Sequence, residues 1–262
     1  MNPSFLRHIT PIVLTFNESP NIARALSKLA SFSEVLVVDS GSTDETLALI
    51  AEYPNVRVLS RPFDSFSGQW NFALRNGGVA TEWVLAMDAD YILTDDGLAE
   101  LAALLPGDST VAYRVPFTYC IFGNALRSTL YPPLIALYRH RGVHYVQDGH
   151  CMRAQVSGAV GDLQVRVRHD DRKPLSRWLS SQASYAEQES ALLLSKPWRQ
   201  LRLQDRLRRL IVITPWLVPL YCLTVGRGAL DGWPGLYYAL QRGVAEAVLS
   251  LRLIEARIAR QG

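Results

Sequence analysis

Short apolar runs, each ending in polar or acidic residues and followed by signals that open a helix, dominate the first 105 residues of this 262-residue chain. Val35-Leu36-Val37-Val38-Asp39 is the sharpest of them. A short β-branched run of this kind reads as a fully buried parallel strand. The following Ser40-Gly41-Ser42-Thr43-Asp44-Glu45 is a turn, and Ser42-x-x-Glu45 has the form of a capping box that would start a helix over 43–52. Upstream, Ile9 to Phe16 is apolar and ends in Thr15-Phe16-Asn17-Glu18, with Ser19 as an N-cap and Pro20 at the first helical position. Strands are predicted near 9–16, 35–39, 56–60 and 83–88, and helices near 20–31, 43–52, 67–76 and 95–105. That alternation predicts the α/β class: a mostly parallel sheet with helices on both faces.

Polar groups gather where these strands end. In an open α/β sheet the carboxyl edge is where ligands bind. Trp83-Val84-Leu85-Ala86-Met87 runs into Asp88-Ala89-Asp90. Two carboxylates one residue apart at a strand end can hold Mg²⁺ or Mn²⁺, ions that prefer carboxylate and phosphate oxygens. An isolated Asp-x-Asp is equally ordinary turn and cap chemistry. The second acidic strand end, at Asp39, turns the pair into a candidate site.

Composition narrows the class further. Cys120, Cys151 and Cys222 form neither a disulfide framework nor a zinc spacing, which suits a reducing cytosol. Residues 1–8 lack the charged and apolar regions of a signal peptide. The net charge of +3 conceals an asymmetry. Residues 1–131 hold 8 Lys/Arg against 14 Asp/Glu, and residues 132–262 hold 19 against 10. The basic half suits an anionic partner such as a phospholipid surface, a lipid-linked acceptor or a diphosphate.

Four segments, Thr15-Phe16-Asn17-Glu18, Val38-Asp39-Ser40-Gly41-Ser42-Thr43-Asp44, Gln69-Trp70-Asn71-Phe72-Ala73 and Met87-Asp88-Ala89-Asp90, occur in family order at family-like spacing. On these the chain resembles the family-2 glycosyltransferases and, within them, the bacterial branch that adds sugars to lipopolysaccharide core or other envelope glycans. Beyond residue 130 the resemblance is thinner, carried by Gln147-Asp148-Gly149-His150, His169-Asp170-Asp171 and Asp231-Gly232-x-x-Gly235. It implies a GT-A fold over residues 1–172, with a nucleotide-sugar half (1–105) and an acceptor half (106–172). Residues 173–262 are expected to form a C-terminal helical extension.

The resemblance also implies roles. Asp39 would accept the imide N–H of uracil from a UDP-sugar donor, with Thr15, Asn17 and Glu18 lining the nucleoside pocket. Asp44 is expected to cap a helix beside it. Gln69 and Asn71 would contact base or diphosphate, with a purely structural hydrogen bond the alternative for Asn71. Asp90 would ligate Mg²⁺ or Mn²⁺ directly and Asp88 would reach the ribose, or the ion through water. His169 is the candidate third ligand, and its neighbours Arg172 and Lys173 can pair with phosphate. An inverting transfer needs a base for the acceptor hydroxyl, and Asp148 is the first candidate. Many relatives carry Glu directly after His at this point. Here Cys151 follows His150, which leaves His150 open as the base.

The C-terminal third raises the membrane question. Leu210 to Val225 is strongly apolar but contains two prolines and is shorter than the roughly 20 residues that span a bilayer. Arg199, Arg202, Arg206, Arg208 and Arg209 precede it. That pairing reads as an interfacial anchor on anionic lipid, and a core helix hairpin is the competing reading. The expectation is a sugar transferase on the cytoplasmic face of a bacterial inner membrane, acting on a lipid-linked or lipopolysaccharide acceptor, with no nucleic-acid partner. A polyprenyl-phosphate glycosyltransferase shares the nucleotide half. A nucleotidyltransferase would want a Gly-rich loop after the first strand, and a decayed scaffold would have lost its carboxylates.

Overall fold

Ile9–Thr15 forms β1, and apolar residues fill it because it has a strand on either side. A computed structural model describes residues 4–127, 129–148, 151–164 and 166–259. Along the chain β1 is followed by α1 (Ile22–Ser27), β2 (Val35–Asp39), α2 (Thr46–Ile50), β3 (Val56–Ser60), α3 (Phe66–Asn76), β4 (Trp83–Asp88), β5 (Tyr91–Ile92) and α4 (Asp95–Ala103). Then come β6 (Thr110–Val115), β7 (Phe117–Ile121), β8 (Asn124–Ala125), β9 (Leu134–Arg139), β10 (His144–Asp148), β11 (Cys151–Gln155), β12 (Ala159–Asp162) and β13 (Val167–His169). Four helices close the chain: α5 (Leu175–Ser195), α6 (Leu203–Arg209), α7 (Thr214–Leu223) and α8 (Trp233–Ile258).

Two compact units emerge. One comprises Met1–Cys120, Tyr131–Gln147 and Met152–Arg172, and the other Ile121–Leu130, Asp148–Cys151 and Lys173–Gly262. The first is built on a seven-stranded sheet of order β12-β6-β9-β4-β1-β2-β3. Its pairs are parallel except where β9 runs antiparallel between β4 and β6. Period-two alternation divides the strand side chains between two cores. Val13, Val35, Val37, Leu85 and Met87 pack with Ile22 and Leu26 of α1, Ile50 of α2 and Leu101 of α4. Ile12, Leu36, Val38, Val84 and Ala86 face the other way, against Trp70 and Ala73 of α3. Helices therefore cover both faces, as the alternation predicted. A smaller sheet places β13 between β5, antiparallel, and β7, parallel.

Two helix starts differ from the sequence expectation. The Ser42–Glu45 capping box does not form, and α2 begins only at Thr46. The Ser42 hydroxyl is taken by Asp39, the N-cap Glu45 makes no side-chain cap bond, and Asp44 just before it accepts from Thr46 N at 3.0 Å. Ser19-Pro20-Asn21 forms a turn, closed when Asn21 N and Ile22 N both donate to the Glu18 carbonyl, so α1 starts at Ile22. Side chains do cap two other helices: Thr94 accepts from Gly97 N at 3.1 Å at the start of α4, and Ser65 accepts from Gly68 N at 3.0 Å at the start of α3.

The second unit is helical. Leu193, Leu201, Ile211, Leu249 and Leu253 form its core. Arg208 points inward to Glu246 (2.8 Å) and Glu189 (3.3 Å), tying α6 to α8 and α5, so this member of the basic cluster is not a surface charge. Gly243 lets α8 approach α7: a Cβ there would lie 3.2 Å from Pro219 Cγ. Among the described residues no helix is long and apolar enough to cross a membrane.

The sheet supports a direct test. Leu36 is fully buried between strands and α3. Leu36→Ala is expected to lower unfolding stability by about 2–5 kcal/mol. The exposed Phe63→Ala should change it by under about 0.5 kcal/mol in the same denaturant titration.

Candidate functional site

Asp39 ends β2 with no exposed surface, and a carboxylate so buried must be hydrogen-bonded to be tolerated. Gly41 N and Ser42 N both donate to its Oδ2 at 2.9 Å, and the Ser42 hydroxyl donates to Oδ1. The same hydroxyl accepts from Asn17 N at 2.8 Å. Asn17 sits in the left-handed region, φ 53°, and its Oδ1 accepts from Thr43 N at 2.6 Å. The loops after β1 and β2 are thus one hydrogen-bonded structure. Asp44 completes it, accepting from Ser19 N and from the Thr46 backbone and hydroxyl. Burial works against its charge, but these donors prevail and hold its pKa below the ordinary carboxylate value. Thr15 is paired in register with Asp39, and its buried hydroxyl has no hydrogen-bond partner among the described residues.

Glu18 is nearly buried and accepts from Asn21 Nδ2 at 2.8 Å. That amide nitrogen also donates to Asp171 Oδ1 at 2.9 Å, while Asn21 Oδ1 accepts from Arg172 N and from Arg24. Arg24 and Arg172 both pair with Asp170, at 2.7 and 3.0 Å. Arg172 therefore faces a carboxylate here, where phosphate pairing was expected. Sequence reading missed Asn21, Arg24 and Asp170 as a connected set. The one signal available was the unusual density of charge in 170–172.

This connection carries β13 to the strand edge. His169 Nε2 lies 3.2 Å from Asp90 Oδ2, and Asp170 N donates to the Asp90 carbonyl. The rings of Tyr91, Tyr119 and Tyr131 surround the imidazole at 4.7–5.1 Å between centroids. Burial disfavours the imidazolium, but Asp90, with Asp88 and Asp171 beyond it, outweighs burial and raises the His169 pKa above its ordinary value. Burial first, then the nearby Asp88, Tyr131 and Asp90, push the Tyr91 phenol well above its usual range, so it remains protonated.

The two donor atoms fit a divalent ion. Adjacent ligands of an octahedral Mg²⁺ at about 2.1 Å stand about 3 Å apart, close to the spacing seen. No cluster of three His, Cys, Asp or Glu able to hold a metal occurs among the described residues. Two protein ligands suffice for an ion that also takes water and substrate phosphate. Asp88 is half-buried at the end of β4.

Gln69 and Asn71 use their amides on the protein. Gln69 Nε2 donates to Ser40 Oγ and to the Arg61 carbonyl, both at 3.0 Å, and so joins the loops after β2 and β3. Asn71 donates to the Tyr145 carbonyl (2.9 Å) and accepts from Tyr145 N (2.8 Å). Both ends of the Asn71 amide are thus used on the backbone of Tyr145, which holds β10 beside α3. Asp148 is the last residue of β10; its side chain lies outside the description, and His150 lies outside the described residues altogether.

The sequence model described as glycosyl transferase family 2 matches residues 10–158. An uncharacterized glycosyltransferase of Rickettsia conorii is 35% identical over 119 residues, 44% of this chain and 41% of the relative. The lipopolysaccharide core biosynthesis glycosyltransferase LpsC of Rhizobium meliloti is 32% identical over 113 residues, 41% of each chain. The match thus spans about two-fifths of the length of these curated relatives. Among solved structures, TarS 1-349 of S. aureus is 17% identical with a TM-score of 0.48, covering 97% of this chain and 92% of that one. His169 lies beyond the stretch that the family model matches.

The His169–Asp90 pair has a pH signature in the chelator-treated protein. A raised native pKa means the imidazolium stabilises the fold fully below its ordinary value of 6.5, and this contribution is lost as pH rises through the higher native value. Melting temperature followed from pH 6 upward, as about the relevant window, should therefore fall more steeply in the parent than in His169→Gln. Identical slopes would show that the pair contributes nothing.

Proposed function

This chain belongs to glycosyl transferase family 2, and we propose that it moves a sugar from a UDP-sugar to a hydroxyl of a lipid-linked or lipopolysaccharide-type envelope glycan, with inversion at the anomeric carbon. The observation that supports this most is the convergence of Asp90 and His169, far apart in sequence, at the strand edge that also carries the Asp39 loop. In this reading the loops after β1 and β2 form the nucleoside pocket, with the Glu18 carboxylate toward the ribose. Asp39 lies beneath that pocket, so its contact with the uracil imide N–H requires the Ser42 hydroxyl to turn aside. Gln69 and Asn71 position the loops and β10 and leave direct donor contact to their neighbours.

Asp90 and His169 would hold Mg²⁺ or Mn²⁺, and the bound ion supplies charge neutralisation of the departing diphosphate. For metal binding, His169 Nε2 must present its lone pair and the proton must sit on Nδ1, which has no partner among the described residues. Tyr91, Tyr119 and Tyr131 limit how far the ring can swing. Asp88 would accept a ribose hydroxyl. Asp148 would take the proton from the acceptor hydroxyl as its oxygen attacks the anomeric carbon on the face opposite the leaving diphosphate, which gives inversion.

Two measurements bear on these assignments. In titration calorimetry, Mn²⁺ should tighten UDP binding by about 5- to 150-fold over chelator-treated protein, a usual range for coupled ligands. Asp90→Ala should remove that gain; equal affinity with and without metal in the parent chain defeats the metal assignment. Asp148→Asn should keep UDP affinity and lower the rate of UDP release from a UDP-sugar, with an acceptor present, by about 10²–10⁴. Loss of turnover in His150→Ala with Asp148→Asn still active would move the base to His150.

A further inference from the structure

Two helices of the second unit leave a broad apolar surface uncovered. On α8 the residues Trp233, Leu240, Val244, Leu251, Ile254 and Ile258 are all exposed, spaced so that they fall along one side. The opposite side carries Tyr238, Ala239, Leu249 and Leu253 and is packed inward. At about 1.5 Å per residue the 26 residues of α8 extend this stripe along nearly 40 Å. α7 widens it with Trp216, Leu217, Leu220 and Tyr221, which are also exposed. Gly243 against Pro219 brings the two helices close together. Trp216 and Trp233 are 80% and 82% exposed. Exposed apolar areas of this kind mark binding surfaces.

Charge identifies the occupant. Residues 196–262 carry 11 Lys/Arg against 4 Asp/Glu, a net +7, and Leu210–Gly226 has no charged residue. Three of the four acidic residues are already ion-paired within the unit: Glu246 with Arg208, Asp231 with Arg127 and Glu255 with Arg252. The segment that carries the apolar face, with its tryptophans and tyrosine, therefore has a positive excess. A second copy of the chain would bring equal positive charge to that face and be repelled. A phospholipid surface with anionic headgroups satisfies both features, because Trp and Tyr favour the headgroup level and basic residues gain from the negative surface. We propose that α7 and α8 lie flat in the interface of an anionic bilayer, with α8 the larger element of the docking face. This assigns to α8 a role that the apolar segment 210–225 alone did not suggest.

The test uses the full chain and vesicles of phosphatidylcholine, with and without phosphatidylglycerol. The protein should sediment with the anionic vesicles, with a blue shift in tryptophan emission, and far less with the neutral ones. Raising the salt should weaken the association. The triple variant Trp233→Gln, Leu240→Gln, Leu251→Gln changes only exposed positions and should reduce partitioning by about tenfold or more, with the melting temperature preserved. Arg199→Gln with Arg257→Gln should weaken binding to anionic vesicles and leave binding to neutral ones as it was. Should the triple variant fail to fold, Trp216→Gln with Leu220→Gln on α7 is the substitute and should show the same loss. Failure of the parent chain to bind anionic vesicles at low salt overturns the proposal. So does binding unchanged in folded face variants, or a dimer that the triple variant abolishes in a chain that ignores vesicles.

Discussion

A buried carboxylate at the end of a strand organises the polar edge of this protein. Asp39 has no access to solvent, and its charge is tolerable only because the following loop bends back and supplies donors. That requirement decides the course of residues 40–44. It recruits the Ser42 hydroxyl, which would otherwise cap α2, and through Ser42 it ties down Asn17 after β1. Gln69 extends the same structure to the loop after β3 through Ser40. Remove the carboxylate and the loops after β1 and β2 lose a common anchor.

A second network acts at longer range. Asn21 is fully buried and uses both ends of its amide, to Glu18 and Asp171 on one side and to Arg172 N and Arg24 on the other. This fastens the segment after β13 to the start of α1. The neighbouring pairing of β13 with β5 sets His169 opposite Tyr91 in register. With that register in place, His169 faces Asp90 and the tyrosine rings close around it. The imidazole and the carboxylate therefore meet because two secondary elements are clamped on either side of them.

The helical unit follows a different logic. Its inward face is small and is reinforced by the Arg208–Glu246–Glu189 bridge, in which two carboxylates share one guanidinium. Its outward face is apolar over two helices. An uncompensated apolar surface of that size beside a positive excess is costly in water and favourable against anionic headgroups.

Much of the first 105 residues was determined by the sequence alone. β2 and β4 run over their apolar stretches to the aspartate that ends each, since those side chains have no alternative partner for burial. The carboxylates Asp39, Asp88 and Asp90 were visible at strand ends for the same reason. What only the tertiary structure decided depends on competition between partners. Ser42 had two possible uses, and the buried Asp39 outbid helix capping because an unpaired buried charge costs more than a lost cap. Asn71 had two readings, and only packing showed that the backbone of Tyr145, 74 residues away, engages both ends of its amide. Arg208 read as one of five surface arginines until two buried glutamates from other helices met it. The Asn21 network and the outward stripe of α8 were hidden in the sequence because local pattern shows that a residue is polar or apolar, whereas only packing shows which partner it faces.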